Sequence, residues 1–350
     1  MFHPQPYTAD DFSRYPLMFY YEVTRSCDLV CKHCRALAQE EAAPDELSHE
    51  NAIRLIEQVA TFERKPTICF TGGDPLKRAD LFDLIAHAMS LGIPSALTPS
   101  ATPLATFEAF KKAKEAGVSA IGLSIDGPNP AVHDAFRGFD GSFAKALEML
   151  NYAERLDLPV QVNTSITKRN FRLIDSIASM LTSPAVKMWS VFFLVPVGRG
   201  LEETSIEPAE YLDVFESLAR LAKEKPFAIK TTEAPHYRAF LLKRGEDPLA
   251  GRSSRARAPL GVTDGRGIMF VGHNGEINPA GFLPISCGRF PNDSVVDVYR
   301  NHPLFRALQN PDNYKGKCGA CEYRTVCGGS RARAYAVFGD PLAEEPDCLV

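Results

Sequence analysis

Short apolar, β-prone runs alternate with stretches of helical spacing through the first two thirds of the chain, and that alternation admits few folds. Strand candidates cover residues 18–23, 67–70, 95–98, 120–125, 160–164 and 188–193. Helical stretches lie between them at 50–61, 79–91, 106–116, 142–156 and 171–181. Ser48 offers an N-cap for the first of these helices, and Gly92 and Gly117 stand just past two others, where a left-handed residue is wanted. Strands alternating with helices build a parallel sheet with right-handed crossovers. Six such units are fewer than a closed (β/α)8 barrel needs. The expected fold is α/β: an open, partial (β/α)6 barrel. Chemistry in such sheets gathers at the carboxyl ends of the strands, so the residues that follow each strand are weighed first.

The pattern changes after about residue 200. Residues 208–222 read as a helix, and 243–266 form a basic, loop-like stretch with Arg244, Arg252, Arg255, Arg257 and Arg266. From residue 267 the chain is rich in glycine, proline and cysteine, with a short strand candidate at 267–271. A region with so little core usually needs a metal to fold. We therefore expect a core at 1–230, a basic linker or lid at 231–266, and a small cysteine-rich unit at 267–350. No apolar run approaches the roughly 20 residues of a membrane helix. The start, MFHPQPYTADDF, lacks the plan of a signal peptide, so the expected location is the cytoplasm, with no membrane partner. A net charge of −4 gives no basic field for nucleic acid.

Nine cysteines make the chemistry readable. The number is odd and the expected compartment reducing, so a disulfide framework does not fit. Cys27, Cys31 and Cys34 stand in a C-x3-C-x2-C array directly after the first strand. A closed zinc site wants four ligands, whereas three thiolates on one loop hold three irons of a cubane and leave the fourth open. Zinc would need His33 as its fourth ligand, and that residue, adjacent to Cys34, is badly placed to complete the same tetrahedron. Cys318, Cys321 and Cys327 form a second array, C-x2-C-x5-C, with Cys348 beyond it. Four thiolates close either a zinc site or an iron–sulfur cluster. Cys69 falls mid-strand and reads as a small core hydrophobe. Cys287 reads as a buried or free thiol, or as a substituting ligand.

The first array behind the first strand of a β/α repeat resembles the radical S-adenosylmethionine (SAM) superfamily. That resemblance implies a [4Fe–4S] cluster on Cys27, Cys31 and Cys34, with SAM chelating the open iron. His33 departs from the aromatic residue usual before the third cysteine, though its flat ring suits packing near adenine. The turn Gly72-Gly73-Asp74 after strand two is similar to the family's GGE-type turn, whose carbonyls accept from the SAM ammonium. Ser124, Asp126 and Asn163 resemble polar residues that face SAM or substrate, and Arg137 resembles an arginine aimed at the SAM carboxylate. Thr98 and Ser100 are further polar candidates, and residues 195–198 are candidates to pack along adenine.

The second array resembles the SPASM/twitch-like auxiliary domain of the same superfamily. A full domain of that kind holds two clusters. Here Arg331 and Ala280 stand where two further cysteines would, so the resemblance implies one auxiliary [4Fe–4S] cluster, on Cys318, Cys321, Cys327 and Cys348. The wording Gly-Gly-Ser-Arg-Ala-Arg-Ala-Tyr is similar to enzymes near the haem and haem-d1 pathways. The implied activity is reductive cleavage of SAM to a 5′-deoxyadenosyl radical that abstracts hydrogen from a substrate. That substrate is a tetrapyrrole side chain, with Arg252, Arg255, Arg257, Arg331 and Arg333 set to pair carboxylates. The alternative is a ribosomal peptide or protein matured by the same radical. Either needs an external electron donor of flavodoxin or ferredoxin type. Outside this class stand a zinc-stapled binding protein and an iron–sulfur electron carrier.

Overall fold

A computed structural model describes residues 7–249 and 260–350. Its strands are β1 (Met18–Thr24), β2 (Thr67–Gly72), β3 (Ser95–Leu97), β4 (Val118–Ser124), β5 (Val160–Ile166), β6 (Val186–Phe193), β7 (Ala228–Thr232), β8 (Ile268–Val271) and β9 (Ile277–Asn278). They form one sheet in the order β7-β6-β5-β4-β3-β2-β1-β8-β9. Neighbours from β7 across to β8 run parallel, and β9 returns antiparallel on β8. This is the open barrel expected from the alternation, extended at both edges.

The two-residue period of a strand divides the sheet into two faces. Phe19, Tyr21 and Val23 of β1, Ile68 and Phe70 of β2, and Val160 and Val162 of β5 face the main apolar core under the helices. Their neighbours Tyr20, Cys69, Gln161 and Asn163 point the other way, into a cavity. Side chains from strands at or next to the two edges, Lys230 of β7 and Phe270 of β8, border that same cavity. The sheet therefore curves around it.

The helices begin where their capping chemistry predicts. Ser48 accepts from Asn51 N at 3.2 Å to open His49–Ala60. Gly117, at φ +105°, closes Phe107–Ala116. The helix Pro130–Arg137 and the strand β7 are additions to the sequence reading. β7 is short, and Lys230 interrupts its apolar pattern because that side chain faces the cavity.

The boundaries drawn at 230 and 266 cut across this sheet. β7 spans the first, and β8 pairs with β1 in the register Met18↔Ile268. Met269, Ile277, Phe290 and Val295 belong to the main core, so the cysteine-rich region starts inside the barrel's own packing. Tyr299 ties it further, donating to Phe12 O at 2.7 Å and accepting from Gly267 N at 3.0 Å. Cys287 joins the same core, where burial raises its thiol to about 12. Arg252, Arg255 and Arg257 lie outside the described residues, as does the rest of 250–259 within the expected linker or lid. Among the described residues, no helix is long and apolar enough to cross a membrane.

Candidate active site

The cavity has a volume of about 1510 Å³ and runs along the inner face of the sheet, from Met18, Thr67 and Pro94 at the amino ends of strands to the glycine turn and cysteine loop at the carboxyl ends. Cys27, Cys31 and Cys34 all border it. Their loop is clamped from three sides. Cys27 N donates to Gln39 O at 2.7 Å, and Lys32 N donates to Phe136 O at 3.0 Å. Arg199, on the turn after β6, donates from N to Cys34 O at 3.0 Å and from Nε to Cys31 O at 2.8 Å. His33 packs on Phe136 with ring centroids 4.3 Å apart and also borders the cavity.

The sulfurs sit among donors. Leu29 N points at Cys27 Sγ at 3.4 Å, and Arg137 Nη1 lies 3.7 Å from Cys31 Sγ. Burial pushes the Cys27 thiol up to about 11 and raises Cys31, the latter opposed by Arg137. Both thiols must therefore lose a proton to ligate metal.

Gly72 and Gly73 border the cavity, and their lack of side chains has a visible cause. A Cβ on Gly73 would lie 2.4 Å from Ser26 O, and one on Gly72 2.3 Å from Thr24 O. The turn after β2 is thus pressed against the backbone that leads into Cys27. Gly73 O already accepts from Ser100 Oγ at 2.8 Å, which leaves one lone pair for another donor. Ser124, Asn163, Thr98, Ser100 and Arg137 also line the cavity.

Asp74 and Asp126 do not border it; both act from behind. Fully buried Asp74 accepts from Thr102 Oγ1 at 2.6 Å and from Leu76 N at 3.2 Å, fixing the glycine turn. Asp126, also fully buried, lies 2.6 Å from Arg137 Nη2 and accepts from Ser165 N at 2.7 Å. Arg137 wins over burial and holds the Asp126 carboxyl below its ordinary range. Asp126 therefore positions Arg137 rather than meeting a ligand itself. In the turn at 195–198, Val195 packs with Ala280, Leu283 and Leu308 in a second apolar cluster.

The second cysteine group is held near the end of β6, where Arg333 donates to Leu194 O at 3.2 Å. Cys318 Sγ accepts from Glu345 N at 3.2 Å and lies 3.7 Å from Arg331 Nη2. Tyr323 N points at Cys321 Sγ and Gly329 N at Cys327 Sγ, each at 3.4 Å. Burial raises the thiols of Cys327, to about 12, and Cys348. Arg331 and Arg333, expected to meet substrate carboxylates, are committed elsewhere. Arg331 donates to Ala343 O at 2.5 Å and Pro341 O at 3.1 Å, and Arg333 pairs with fully buried Glu345 at 2.9 Å.

Residues 21–170 match the family model described as the Radical SAM superfamily. The chain is 38% identical over 352 residues to the AdoMet-dependent heme synthase of Nitratidesulfovibrio vulgaris, covering 98% of this chain and 95% of that one. It is 36% identical to a protein of the same name from Methanosarcina barkeri, covering 95% and 96%. The chain belongs to the radical SAM superfamily. Among solved structures, Streptococcus suis SuiB bound to S-adenosylmethionine shares the fold, with a TM-score of 0.72 at 15% identity, covering 96% of this chain and 78% of that one. Superfamily membership implies a [4Fe–4S] cluster and SAM.

The residues of this radical SAM enzyme fit such groups. At Cys27, Cys321 and Cys327 alike, the N–H two residues on points at the sulfur. That donor stabilises a thiolate, and so a metal ligand. Among the described residues no three His, Cys, Asp or Glu side chains converge tightly enough to hold a single metal ion. Arg137 Nε and His33 Nδ1 are buried without a hydrogen-bond partner among the described residues, which leaves donors or acceptors for a ligand in the cavity. Sequence reasoning missed Arg199, which follows directly on the apolar turn at 195–198 and was within reach of that reading.

Proposed function

We propose that the chain oxidatively modifies a carboxylated side chain of a tetrapyrrole in haem-type cofactor biosynthesis. The observation that carries this reading is the 38% identity to an AdoMet-dependent heme synthase across 98% of the chain. The cavity agrees with it. Drug-sized ligands occupy roughly 300–1,000 Å³, so about 1510 Å³ leaves room for SAM beside a second, larger molecule. Arg35, paired with Glu22 at 2.9 Å, Lys230, and Arg238, which donates to Val326 O and Val262 O, place positive charge on its walls.

In this reading Cys27, Cys31 and Cys34 hold the first [4Fe–4S] cluster, and Cys318, Cys321, Cys327 and Cys348 hold one auxiliary [4Fe–4S] cluster. When bound, the first cluster and SAM supply reductive cleavage of SAM to methionine and a 5′-deoxyadenosyl radical that abstracts hydrogen from the substrate. The protein's part is to bind, orient and exclude water. Gly72 and Gly73 present carbonyls to the SAM ammonium, Arg137, steadied by Asp126, faces its carboxylate, and Ser124 and Asn163 line its path. An external flavodoxin- or ferredoxin-type donor supplies the electron, and a reducing cytoplasm suits seven ligand thiols.

The test is anaerobic turnover of the reconstituted enzyme with SAM, dithionite and an iron porphyrin carrying four propionates. We expect 5′-deoxyadenosine together with a porphyrin altered in mass at its side chains. 5′-Deoxyadenosine with an unaltered porphyrin contradicts the substrate assignment.

A further inference from the structure

Arg35 follows Cys34 directly, and its side chain is built into the cavity wall, only 18% exposed. The guanidinium lies over the Phe270 ring, 4.6 Å from its centroid. Gly281 sits against it: an added Cβ there would lie 3.0 Å from Arg35 Nε and 3.1 Å from Cζ. The missing side chain is what leaves that space to the guanidinium. One corner is fixed by an ion pair, with Arg35 Nη1 donating to Glu22 Oε2 at 2.9 Å. Glu22, buried on β1, is held in its turn, its other oxygen accepting from His273 Nδ1 at 3.0 Å.

Stacking and ion pair together fix the plane of the group and leave Nε and Nη2. Neither makes a hydrogen bond among the described residues, and Arg35 borders the cavity. These two nitrogens form one edge of the planar fork that takes both oxygens of a carboxylate. Glu22 does not itself border the cavity, so an incoming anion meets the guanidinium before the acid behind it. The neighbouring wall is aromatic. Phe282, next to Gly281, and Phe192 border the same cavity with ring centroids 6.2 Å apart. A fixed cation beside an aromatic wall suits a flat apolar ring that carries acidic arms.

We propose that Arg35 is a substrate-carboxylate subsite: Nε and Nη2 take one carboxylate of the substrate, and Phe192 and Phe282 take the face of its ring. Glu22 and Gly281 are positioning residues that hold the guanidinium for this contact. The proposal rests on the carboxylated tetrapyrrole reading and adds a residue to it. Because Arg35 adjoins Cys34, a carboxylate bound there sets the substrate beside the first cysteine loop. Arg137 stands apart from this arrangement, with one nitrogen on Asp126 and another near Cys31 Sγ.

The test is equilibrium binding of two probes to the anaerobically reconstituted enzyme, followed at the Soret band without turnover. One probe is an iron porphyrin carrying four propionates, and the other is the same porphyrin with those groups as amides. Wild type should prefer the acid. Arg35→Gln should weaken the acid by about tenfold or more and leave the amide where it was. Arg35→Lys keeps the charge without the fork and should fall between. Gly281→Val keeps the arginine but crowds Nε, and should weaken the acid several-fold. Gly281 belongs to neither cysteine array, so this variant decides the matter should Arg35→Gln lose iron. SAM affinity, measured by equilibrium dialysis, should stay at the wild-type level in Gly281→Val. Acid binding at wild-type strength in iron-replete Arg35→Gln or in Gly281→Val overturns the proposal, as does equal weakening of acid and amide. Loss of SAM affinity in Gly281→Val with acid binding intact overturns it too. Wild type that binds acid and amide alike overturns the subsite and leaves the tetrapyrrole reading standing. Wild type that binds neither removes that reading and this proposal with it.

Discussion

Replacing Arg333 tests whether the arginines after the second cysteine array serve structure or substrate. The Arg333 side chain is 2% exposed and that of its partner Glu345 0%. The same guanidinium lies 3.3 Å from Asp347 and donates to Leu194 O at 3.2 Å. It therefore pins the C-terminal tail, with Cys348 just beyond, to the end of β6. Arg333→Met leaves Glu345 charged, buried and unpaired, and breaking such a pair from one side costs about 3–5 kcal/mol. Adding Glu345→Gln removes the stranded charge, so the double variant should recover much of that loss, with a coupling of about 0.5–3 kcal/mol. The assay is anaerobic urea unfolding of the reconstituted protein, read from the fluorescence of fully buried Trp189. Loosening the tail should also lower iron at the second site. The reasoning is refuted if Arg333→Met unfolds within about 0.5 kcal/mol of wild type and instead only weakens porphyrin binding.

Other perturbations reach other parts of the account. Gly73→Ala places a Cβ against Ser26 O and Arg25 O, backbone atoms that cannot rotate away. It should cost about 1–3 kcal/mol and lower iron retention by the first cysteine loop; unchanged melting and iron content would contradict the close approach. Burial holds His133 and His236 neutral by lowering each from 6.5 to about 4. Their neutral forms favour the fold fully above pH 6.5, and protonation of the unfolded chain withdraws that stability as pH falls towards 4. At about 1.4 kcal/mol per pKa unit, each withdraws at most about 3 kcal/mol, so the urea midpoint should drop clearly between pH 7 and pH 5. A midpoint level over that interval would mean that these rings are not buried neutral.

The barrel was legible because its six inner units obey strong local rules: apolar strands, amphipathic helices, and caps such as Ser48 and Gly117. β7 escaped because its inward face is polar, and a five-residue strand with Lys230 at its centre carries little period-two signal. The joining of β8 to β1 escaped for another reason. A strand pairing across some 250 residues is a tertiary fact, set by packing rather than by local pattern. At the site, the cysteine spacing marked both thiol groups, and the glycine turn marked its own place. The roles of Asp74, Asp126, Arg331 and Arg333 were not readable, because a charge in sequence does not show whether it faces a ligand or a buried partner.

Two cysteine groups as two cubane clusters is the central claim, and metal analysis tests it most directly. Iron, zinc and acid-labile sulfide would be measured after anaerobic reconstitution of wild type and of the Cys27→Ala, Cys31→Ala, Cys34→Ala triple variant. The account predicts about eight irons and as many sulfides in wild type, falling to about four of each in the variant. One or two zinc ions with no labile sulfide in wild type would contradict it.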